Sequence, residues 1–446
     1  MSFLWFGDKH RGTPEHAALA DPEQFRTRTH KKLDAPDVIL PYLARSGFAT
    51  VARIPHIHID TSFVMALLER WRPETHTFHF PTGECTITLE DVSMLLGLRV
   101  NGNAVAGPTK VDLDLWEEFL GVQPPRTALK GRMVLISWLK SLLANNPVNE
   151  NSTVGHLTTY TKNVNLLLIG LSLMPGKTSK YVHLMWVPLL QDLDRCNTYS
   201  WGSAVLAYLY REICKSVNVE VDGMGGCVEL LQAWGYTRLA FLAPITSELP
   251  SFPYAARFFI WRPYINLPPL DNNDHTIWNA TVPIICFWIV EWHQSDRVKL
   301  QFGFHQEVPP PPRCLKEHHE MTMKESWRTP YTQLYRREHQ KWRNVARHCL
   351  TGPTVDPHSM PTNDYMTWYR SLPYTYASGN QWLVDPRTQP SSSQMPPTQP
   401  QTFNIPPFAQ PSSSNIYDQP SQNYQTPQQP QSSYNPTQHQ TQYTPL

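Results

Sequence analysis

The chain has 446 residues, of which 41% are hydrophobic and 11% aromatic, including 15 Trp, so it can bury a sizeable core. Its 38 basic and 37 acidic residues leave a net charge of +1, which excludes a chain-wide field that would draw it to nucleic acid or to a membrane surface. The apolar stretches at 166–174 and 282–290 are too short to cross a bilayer, and the first residues lack the pattern of a secretory signal. We therefore expect a soluble, intracellular protein with no membrane partner.

The seven Cys are scattered along the chain and are never spaced as CxxC. This usage is typical of reduced thiols in the cytosol or the nucleus, and not of a disulfide framework. We predict that disulfides are not part of the scaffold.

The chain divides by composition into four parts. Residues 1–38 are polar and interrupted by prolines, which predicts a loosely ordered lead-in. A large domain follows over 39–350, and then a linker over 351–387. From 388 to 446 Pro, Gln, Ser and Thr dominate and Asp418 is the only formally charged side chain. Such a segment cannot bury enough apolar surface to offset the entropy of ordering, so we predict a disordered tail.

The first elements of the large domain are predicted from a cap, a proline and a turn. Asp60 can accept the free amide hydrogens of a helix whose apolar residues extend over 61–72, and Pro73 ends that helix. The runs 75–80 and 85–88 favour β-structure and are joined by Pro and Gly residues, which is typical of a hairpin.

Helices dominate the remainder of the domain. Thr88 and Asp91 have the spacing of a capping box for a short helix that ends near Gly97. The run 282–290 fits a buried strand and a buried helix equally, and a helical pattern over 331–350 is predicted as the last element. Apolar residues at three- and four-residue spacing predict five other helices, over 113–120, 133–143, 159–174, 203–216 and 227–234. The expected fold is helix-dominated α+β, a single large, mainly α domain with a small β-hairpin.

Between about 40 and 350 the chain carries a series of aromatic-rich blocks. They are 69–80, 83–84, 86–92, 95–98, 182–184, 188–190, 199–207, 230–234, 298–303 and 331–342. So many blocks in this order are far more specific than a single motif, and they resemble the plant mobile domain family, also called the aminotransferase-like plant mobile domain. The block residues to which we assign a structural role are Trp71, Arg72, Pro73, Glu74, Thr75, His76, Gly83, Glu84, Trp201 and Trp234.

The resemblance implies a mainly helical domain that occurs in plant transposable elements and in host proteins similar to a maintenance-of-meristems regulator. It implies a nuclear scaffold with roles in meristem development and transposable-element silencing, acting through a protein partner such as a PP7-like phosphatase or a chromatin factor. The family usually carries a longer helical insertion between 256–257 and 261–264. That insertion is almost absent here, through either a deletion or a skipped exon in the gene model.

No catalytic constellation accompanies the blocks. Pyridoxal chemistry needs a Schiff-base lysine, a carboxylate for the pyridinium nitrogen and a phosphate cup, whereas the lysines here fall in predicted loops or on polar helix faces. Residues 7–10 have the GDxH form of a metallophosphatase, but the further ligands of a two-metal site do not follow. We therefore interpret Asp8 and His10 as solvated terminal residues, and we predict no catalytic residue, no cofactor and no enzyme activity.

Two histidine motifs have simpler interpretations than metal binding. His56 and His58 would lie on one side of a strand and could bind a metal ion with Asp60, but helix capping by Asp60 accounts for that residue. The His-His-Glu segment at 318–320 lacks the HExxH spacing that places two imidazoles one turn apart, so we interpret it as a polar linker. We predict no metal site.

Tryptophans within apolar patterns are expected to pack in the core, since that role is far more common than a ligand cage. They are Trp71, Trp138, Trp186, Trp201, Trp234 and Trp288. Arg70 and Arg72 flank Trp71, with Glu69 and Glu74 close by, so we expect an ion-paired surface around a buried ring.

The candidate for nucleic-acid contact is the basic segment 328–347. Its basic groups can meet phosphates, and the interleaved Tyr331, Tyr335 and Trp342 could stack on bases. The contact residues for nucleic acid or a partner are Arg328, Arg336, Arg337, Lys341, Trp342, Arg343 and Arg347. A solvated helix face that docks through Trp342 is the more common structure for such a pattern. DNA binding by a transposon-encoded accessory protein is thus the alternative to partner binding.

Overall fold

The computed structural model describes residues 5–18, 21–27, 33–108, 111–178, 180–239, 242, 260–265, 267, 273–313, 319, 321, 330–357 and 359–372. These residues belong to one compact unit over Met1–Gln389. Arg328, residues 256–259 of the shortened region and the tail predicted over 388–446 lie outside the described residues.

Helices supply most of the regular structure, which confirms the predicted fold class. The α-helices are α1 Pro14–Ala18, α2 Leu40–Ser46, α3 Ala49–Arg53, α4 Thr61–Arg70, α5 Leu89–Leu96, α6 Leu115–Leu120, α7 Ile136–Asn145, α8 Val154–Leu168, α9 Val187–Leu190, α10 Leu193–Cys196, α11 Trp201–Ser216, α12 Val228–Arg238, α13 Tyr331–Leu334, α14 Arg336–Arg343 and α15 Asn363–Ser371. Among the described helices, none is long and apolar enough to span a membrane.

The strands are short. They are β1 Arg26–Thr27, β2 Trp71–Arg72, β3 Thr77–Phe80, β4 Gly83–Cys85, β5 Leu129–Lys130, β6 Met133–Leu135, β7 Tyr181–His183, β8 Gly223–Met224, β9 Val282–Cys286 and β10 Ile289–His293. Three-stranded antiparallel sheets form in the orders β2-β3-β4 and β5-β6-β7. Strands β9 and β10 form an antiparallel hairpin, and β1 pairs with β8 in parallel.

The predicted cap and hairpin at the start of the domain are confirmed. The Asp60 carboxylate accepts a hydrogen bond of 3.0 Å from the Phe63 amide at the first turn of α4. Helix α4 ends at Arg70, before Pro73, because Trp71 and Arg72 leave it to pair with β3. Strand β2 therefore adds a third strand to the expected β3–β4 hairpin.

The capping box of α5 is confirmed in both directions. The Asp91 amide donates to Thr88 Oγ1 at 3.2 Å, and the Thr88 amide donates to Asp91 Oδ2 at 2.8 Å. The helix ends at Gly97, whose φ of 63° is left-handed. Glycine tolerates this conformation without the penalty that a Cβ brings.

The helix predicted over 133–143 was wrong in its first turn. Residues Met133–Leu135 form β6, which pairs with β7, and α7 begins only at Ile136. The local apolar spacing carries no information about a partner strand so distant in sequence. The helix predicted over 159–174 begins earlier, at Val154, because Thr153 caps it, and it continues past Leu168 as a π-helical turn.

The run 282–290, which fitted strand and helix equally, belongs to the β9–β10 hairpin. Phe287 at the turn has a φ of 54°, which few non-glycine residues adopt. Strand β9 contacts both α11 and α14. Its residues are buried throughout because helices cover the hairpin, and this removes the alternation typical of a half-exposed strand.

The segment 331–350 does not hold the last element, so that prediction was wrong. It forms α13, α14 and a 3-10 turn over Val345–His348, and α15 follows. Helix α15 returns to the β3–β4 hairpin. The Tyr369 hydroxyl donates to the Phe80 carbonyl at 2.9 Å, and the Glu84 amide donates to the Tyr365 hydroxyl oxygen at 2.9 Å. Because two tyrosines rather than an aliphatic stripe anchor this helix, its apolar pattern is weak.

The core surrounds α11, which packs against α5, β9 and β10. Trp71, Trp186, Trp201 and Trp234 are at most 3% exposed, as expected for core residues. Trp138 and Trp288 are only partly buried against this core. The six described cysteines carry free thiols, and all except Cys349 are buried.

Candidate functional site

Three arginine–carboxylate pairs lie in the described interior, with side chains at most 3% exposed. They join Glu84 to Arg297, Asp91 to Arg238 and Glu291 to Arg211. Transferring two charges from water to the interior costs free energy. Close contact between the charges and further hydrogen bonds can offset this desolvation cost. These further contacts are present around each pair.

The Glu84 pair is bidentate. Arg297 Nε lies 2.7 Å from Glu84 Oε2, and Nη2 lies 2.6 Å from Oε1. The Thr77 hydroxyl on the adjacent strand also donates to Oε2, at 3.2 Å. Strand β4 and the 3-10 turn over Ser295–Arg297 position the two partners. The carboxylate thus ties the β3–β4 hairpin to a distant part of the chain.

Asp91 connects three elements. Oδ1 accepts from Arg238 on α12 at 2.7 Å and from the Tyr264 hydroxyl at 2.9 Å, while Oδ2 completes the cap at Thr88. Burial and the Asp91 carboxylate raise the pKa of Tyr264 far above its usual value. Burial and the same carboxylate raise the pKa of neighbouring Glu90 to about 7.

A third group of polar side chains, which we name the histidine–cysteine cluster, consists of His76, Cys214 and His319, with Glu291 between the two histidines. One ligand atom from each of His76, Cys214 and His319 lies within 4.8 Å of the others. Glu291 Oε2 lies 3.2 Å from His76 Nε2, and Oε1 lies 3.0 Å from His319 Nδ1. Arg211 also contacts Glu291.

The pKa values of two groups in this cluster, the Glu291 carboxyl and the Cys214 thiol, are shifted. Burial alone would raise the pKa of Glu291, but Arg211 and His319 override it and hold that pKa well below its usual value. Burial raises the pKa of the Cys214 thiol. The Trp71 indole donates to the Cys214 sulfur at 3.2 Å. Of these residues, the sequence analysis named Trp71, His76 and, within the His-His-Glu segment, His319. The interpretation of that segment as a polar linker was wrong for His319, whose side chain is only 10% exposed and lies against Glu291. The other residues carry no local motif.

The expectation of an ion-paired surface around Trp71 was wrong. Arg72 is 1% exposed and donates from Nη1 to the Glu69 carbonyl at 3.0 Å. Glu74 is 9% exposed and accepts from the Trp5 amide. Arg70 keeps a partly exposed pair, 3.6 Å from the Glu69 carboxylate. The charges are interior because β2 enters the core directly after α4.

The remaining block residues also lie inside. Gly83 has a φ of 127°, and a Cβ there would lie 3.1 Å from the Tyr365 ring, so both backbone and space favour glycine. Pro73, Thr75, Trp201 and Trp234 are likewise buried.

His10 is not solvated, in contrast to our interpretation. It is fully buried, its Nδ1 accepts from the Gly12 amide at 2.9 Å, and its Nε2 donates to the Trp71 carbonyl at 3.0 Å. Asp8 is exposed. Both ring nitrogens of His10 are therefore used within the fold, and part of the lead-in packs on the domain.

Asp60 caps α4. This confirms helix capping as the role of Asp60, in place of metal binding with His56 and His58. His56 and His58 are exposed, and their segment is not a strand. Nothing in the backbone therefore places the two imidazoles on one side.

The basic face of α14 and the following turn consists of Arg336, Arg337, Lys341, Arg343 and Arg347, all of them exposed. The aromatic residues between them are buried, as in the more common structure of a helix face that docks through Trp342, and this placement does not favour stacking on bases. The Trp342 indole donates to the Gly102 carbonyl at 2.9 Å, and the Tyr335 hydroxyl donates to the Trp288 carbonyl at 2.8 Å. These contacts dock the helix and turn its charges to solvent.

His10 is expected to make stability depend on pH. Burial and the nearby Arg72 charge lower its pKa from 6.5 to about 3. As the pH falls from 6.5 towards 3, His10 binds a proton in the unfolded chain but not in the folded chain. The free energy of unfolding therefore decreases. In His10→Gln the decrease should be shallower by up to about 1.4 kcal/mol per pH unit. Urea unfolding at several pH values measures this. His156→Gln, exposed on α8, is the control and should retain the wild-type slope.

Comparisons with known proteins agree with the block pattern. A family model described as the plant mobile domain matches residues 47–258 and 253–370. An Arabidopsis thaliana protein named Serine/threonine-protein phosphatase 7 long form homolog is 33% identical over 83% of this chain and 31% of its own length. From the same organism, MAINTENANCE OF MERISTEMS is 28% identical over 83% of each chain, and MAIN-LIKE 2 is 32% identical over 59% of this chain and 45% of its own length.

The chain thus spans about a third of the phosphatase 7 long form homolog and less than half of MAIN-LIKE 2. No solved structure matches it. The family model covers most of the described residues, including the three buried ion pairs and α14. The chain belongs to the plant mobile domain family.

Proposed function

We propose that this chain is a non-enzymatic nuclear plant protein that serves meristem maintenance and transposable-element silencing by binding a protein partner. The observation that carries the proposal is the placement of the polar block residues. Arg72, Glu74, His76 and Glu84 are at most 9% exposed and make contacts within the fold. In an enzyme, such polar side chains would face the substrate. Here these four side chains instead connect helices and strands of the fold.

The basic face of α14 is the surface that we assign to the partner. Its five basic side chains are exposed, and Glu338 is the only acidic residue between Tyr331 and Arg347. Trp342 and Tyr335 fix the helix to the core, so the charges are presented from a rigid support. An acidic patch on a protein is the complementary surface, and such charge pairing speeds association and fixes orientation.

The relatives support the biological part of the proposal. One of them is named for the maintenance of meristems and matches 83% of each chain. Another is named as a phosphatase 7 long form homolog, and this chain spans about a third of it. A region similar to this chain therefore occurs within a protein of that name, and we infer that the separate chain binds a phosphatase of the same type. We therefore place a PP7-like phosphatase first among candidate partners and a chromatin factor second.

Affinity purification of the tagged full chain from plant nuclei tests this proposal. The wild type should enrich a PP7-like phosphatase or a chromatin protein, and a variant with Arg336, Arg337, Lys341 and Arg343 replaced by Ala should lose it. The control removes four other exposed positive charges and should retain the partner; these are Arg126, Lys130, Arg132 and Lys180. Recovery of neither class of protein by the wild type would contradict the proposal.

DNA binding by a transposon-encoded protein is the second candidate, favoured by the same five exposed cations. Because Tyr335 and Trp342 are buried, contacts would be made to phosphates, and we expect weak binding with little sequence preference that falls steeply with salt. A gel shift at increasing salt concentrations measures this. An affinity that the four alanine substitutions leave unchanged would exclude α14 as the DNA-binding surface.

A further inference from the structure

The histidine–cysteine cluster has the composition of a metal centre. We propose that His76, Cys214 and His319 bind a Zn²⁺ ion, with Glu291 as the fourth ligand or as the hydrogen-bond partner of a ligand. Three ligand atoms within 4.8 Å of one another need only small side-chain rotations to surround an ion at the usual Zn–N and Zn–S distances of about 2.0–2.3 Å. The site joins the β2–β3 turn, α11, β10 and residue 319.

His76 supplies the first argument. Its Nδ1 lies 3.1 Å from the Trp292 carbonyl oxygen, which can only accept, so Nδ1 donates its proton there. A neutral ring then turns the lone pair of Nε2 towards Glu291 Oε2 at 3.2 Å. Nε2 is buried without a hydrogen bond of acceptable geometry. Two acceptors in this arrangement repel each other unless a cation, either a proton or a metal ion, lies between them.

The surrounding contacts are those that metal ligands commonly make. A zinc-bound histidine usually donates its other ring N–H to a backbone carbonyl or to a carboxylate. His76 has the carbonyl of Trp292, and His319 Nδ1 lies 3.0 and 3.1 Å from the two Glu291 oxygens. The Trp71 indole N–H points at the Cys214 sulfur, where it would stabilise a thiolate.

Charge and ligand type favour zinc over other divalent ions. A thiolate and a carboxylate together neutralise a divalent cation, and Arg211 holds the Glu291 carboxylate in place as its ion-pair partner. Mg²⁺ and Ca²⁺ prefer sites built from oxygen ligands, whereas a thiolate with imidazoles suits Zn²⁺. Because His76, Cys214 and His319 are far apart in sequence, the ion would tie separate segments together and so stabilise the fold.

The test is the metal content of the full chain, purified without chelator or affinity nickel. Elemental analysis should find about one Zn²⁺ per chain, and removal by a chelator should lower the melting temperature. Cobalt added to the metal-free protein should give the absorption of a tetrahedral site and a thiolate-to-cobalt charge-transfer band. Wild-type protein that is folded, contains no zinc and gives no cobalt band would overturn the proposal and leave a proton as the cation between His76 and Glu291.

Variants locate the site. Cys214→Ser should abolish the charge-transfer band, and His319→Gln should weaken cobalt affinity at least about tenfold. Cys227→Ser removes another buried thiol and should leave the band intact. If Cys214→Ser does not fold, the cobalt affinity of His319→Gln decides whether the cluster binds metal. The His319 side chain is 10% exposed and lies at the rim of the cluster. A full cobalt signal in a folded His319→Gln protein would also overturn the assignment.

Discussion

Replacing Glu84 by Ala is expected to lower the free energy of unfolding by about 3–5 kcal/mol. The substitution leaves Arg297 charged and buried, without the carboxylate that accepts from its Nε and Nη2. It also removes an acceptor of the Thr77 hydroxyl. Urea or guanidinium unfolding, followed by far-ultraviolet circular dichroism, gives the value.

A surface pair with the same geometry provides the control. Arg45 and Asp194 are joined by bonds of 3.0 and 2.6 Å from Nε and Nη2, but both side chains are more than half exposed. Asp194→Ala is therefore expected to leave the unfolding free energy close to that of the wild type. In the interior, Glu84→Leu combined with Arg297→Met should recover part of the loss, since no unpaired charge remains. Equal effects of Glu84→Ala and Asp194→Ala would contradict this account.

Asp91→Ala should destabilise the fold to a similar extent, by about 3–5 kcal/mol. It removes the partner of Arg238, the acceptor of the Tyr264 hydroxyl and one half of the α5 capping box at Thr88. Since Asp91 connects α5, α12 and the segment around Tyr264, its loss should also reduce the cooperativity of unfolding. Equilibrium denaturation measures both quantities.

The cap alone accounts for little of the effect expected at Asp91. Asp60 caps α4 through one bond to Phe63 without an interior arginine, and Asp60→Ala is expected to cost only about 1 kcal/mol. Asp91→Asn retains a capping acceptor but leaves Arg238 without a full opposite charge, so it should fall between the two. If Asp91→Ala were no more destabilising than Asp60→Ala, the interior pair would be of no energetic importance.

Local chemistry explains why part of this fold could be predicted. Asp60, Thr88 and Gly97 act within a few residues of their own position, so helix ends at these sites follow from residue type alone. The β3–β4 hairpin follows from its β-favouring residues and its turn. The run 282–290 was different, because burial on both sides erases the alternation by which a strand is recognised.

Long-range polar contacts explain most of what could not be predicted. Arg72 and Glu74 have the composition of a solvated surface, and only the turn of β2 into the core makes them interior residues. The Glu84–Arg297 partners are brought together by folding, and no spacing rule connects them. The role proposed for His319 depends on Cys214 and His76, which come close to it only in the folded chain. Helix α15 was missed because its anchors are tyrosine hydroxyls.

The structure divides the charged residues into two groups with different expected effects. Interior charges such as Glu84 and Asp91 should control stability, and changes there would reduce partner binding only through unfolding. The exposed charges of α14 should control partner binding with little effect on stability, because they lie at the surface. Lys341 Nζ also lies 4.7 Å from the centroid of the Trp292 ring, and a cation–π contact at an exposed site contributes only about 0.5–1 kcal/mol. Phenotypes of the two groups in plants would then look alike, although their causes differ.

The most direct test of this division is partner recovery by the four-alanine variant of α14. The melting temperature of the variant is measured first, to show that it equals that of the wild type. We predict that Arg336, Arg337, Lys341 and Arg343 can be replaced without a change in melting temperature, and that recovery of the nuclear partner is then lost. A variant that is as stable as the wild type and still recovers the same partner in full would contradict the assignment of this face.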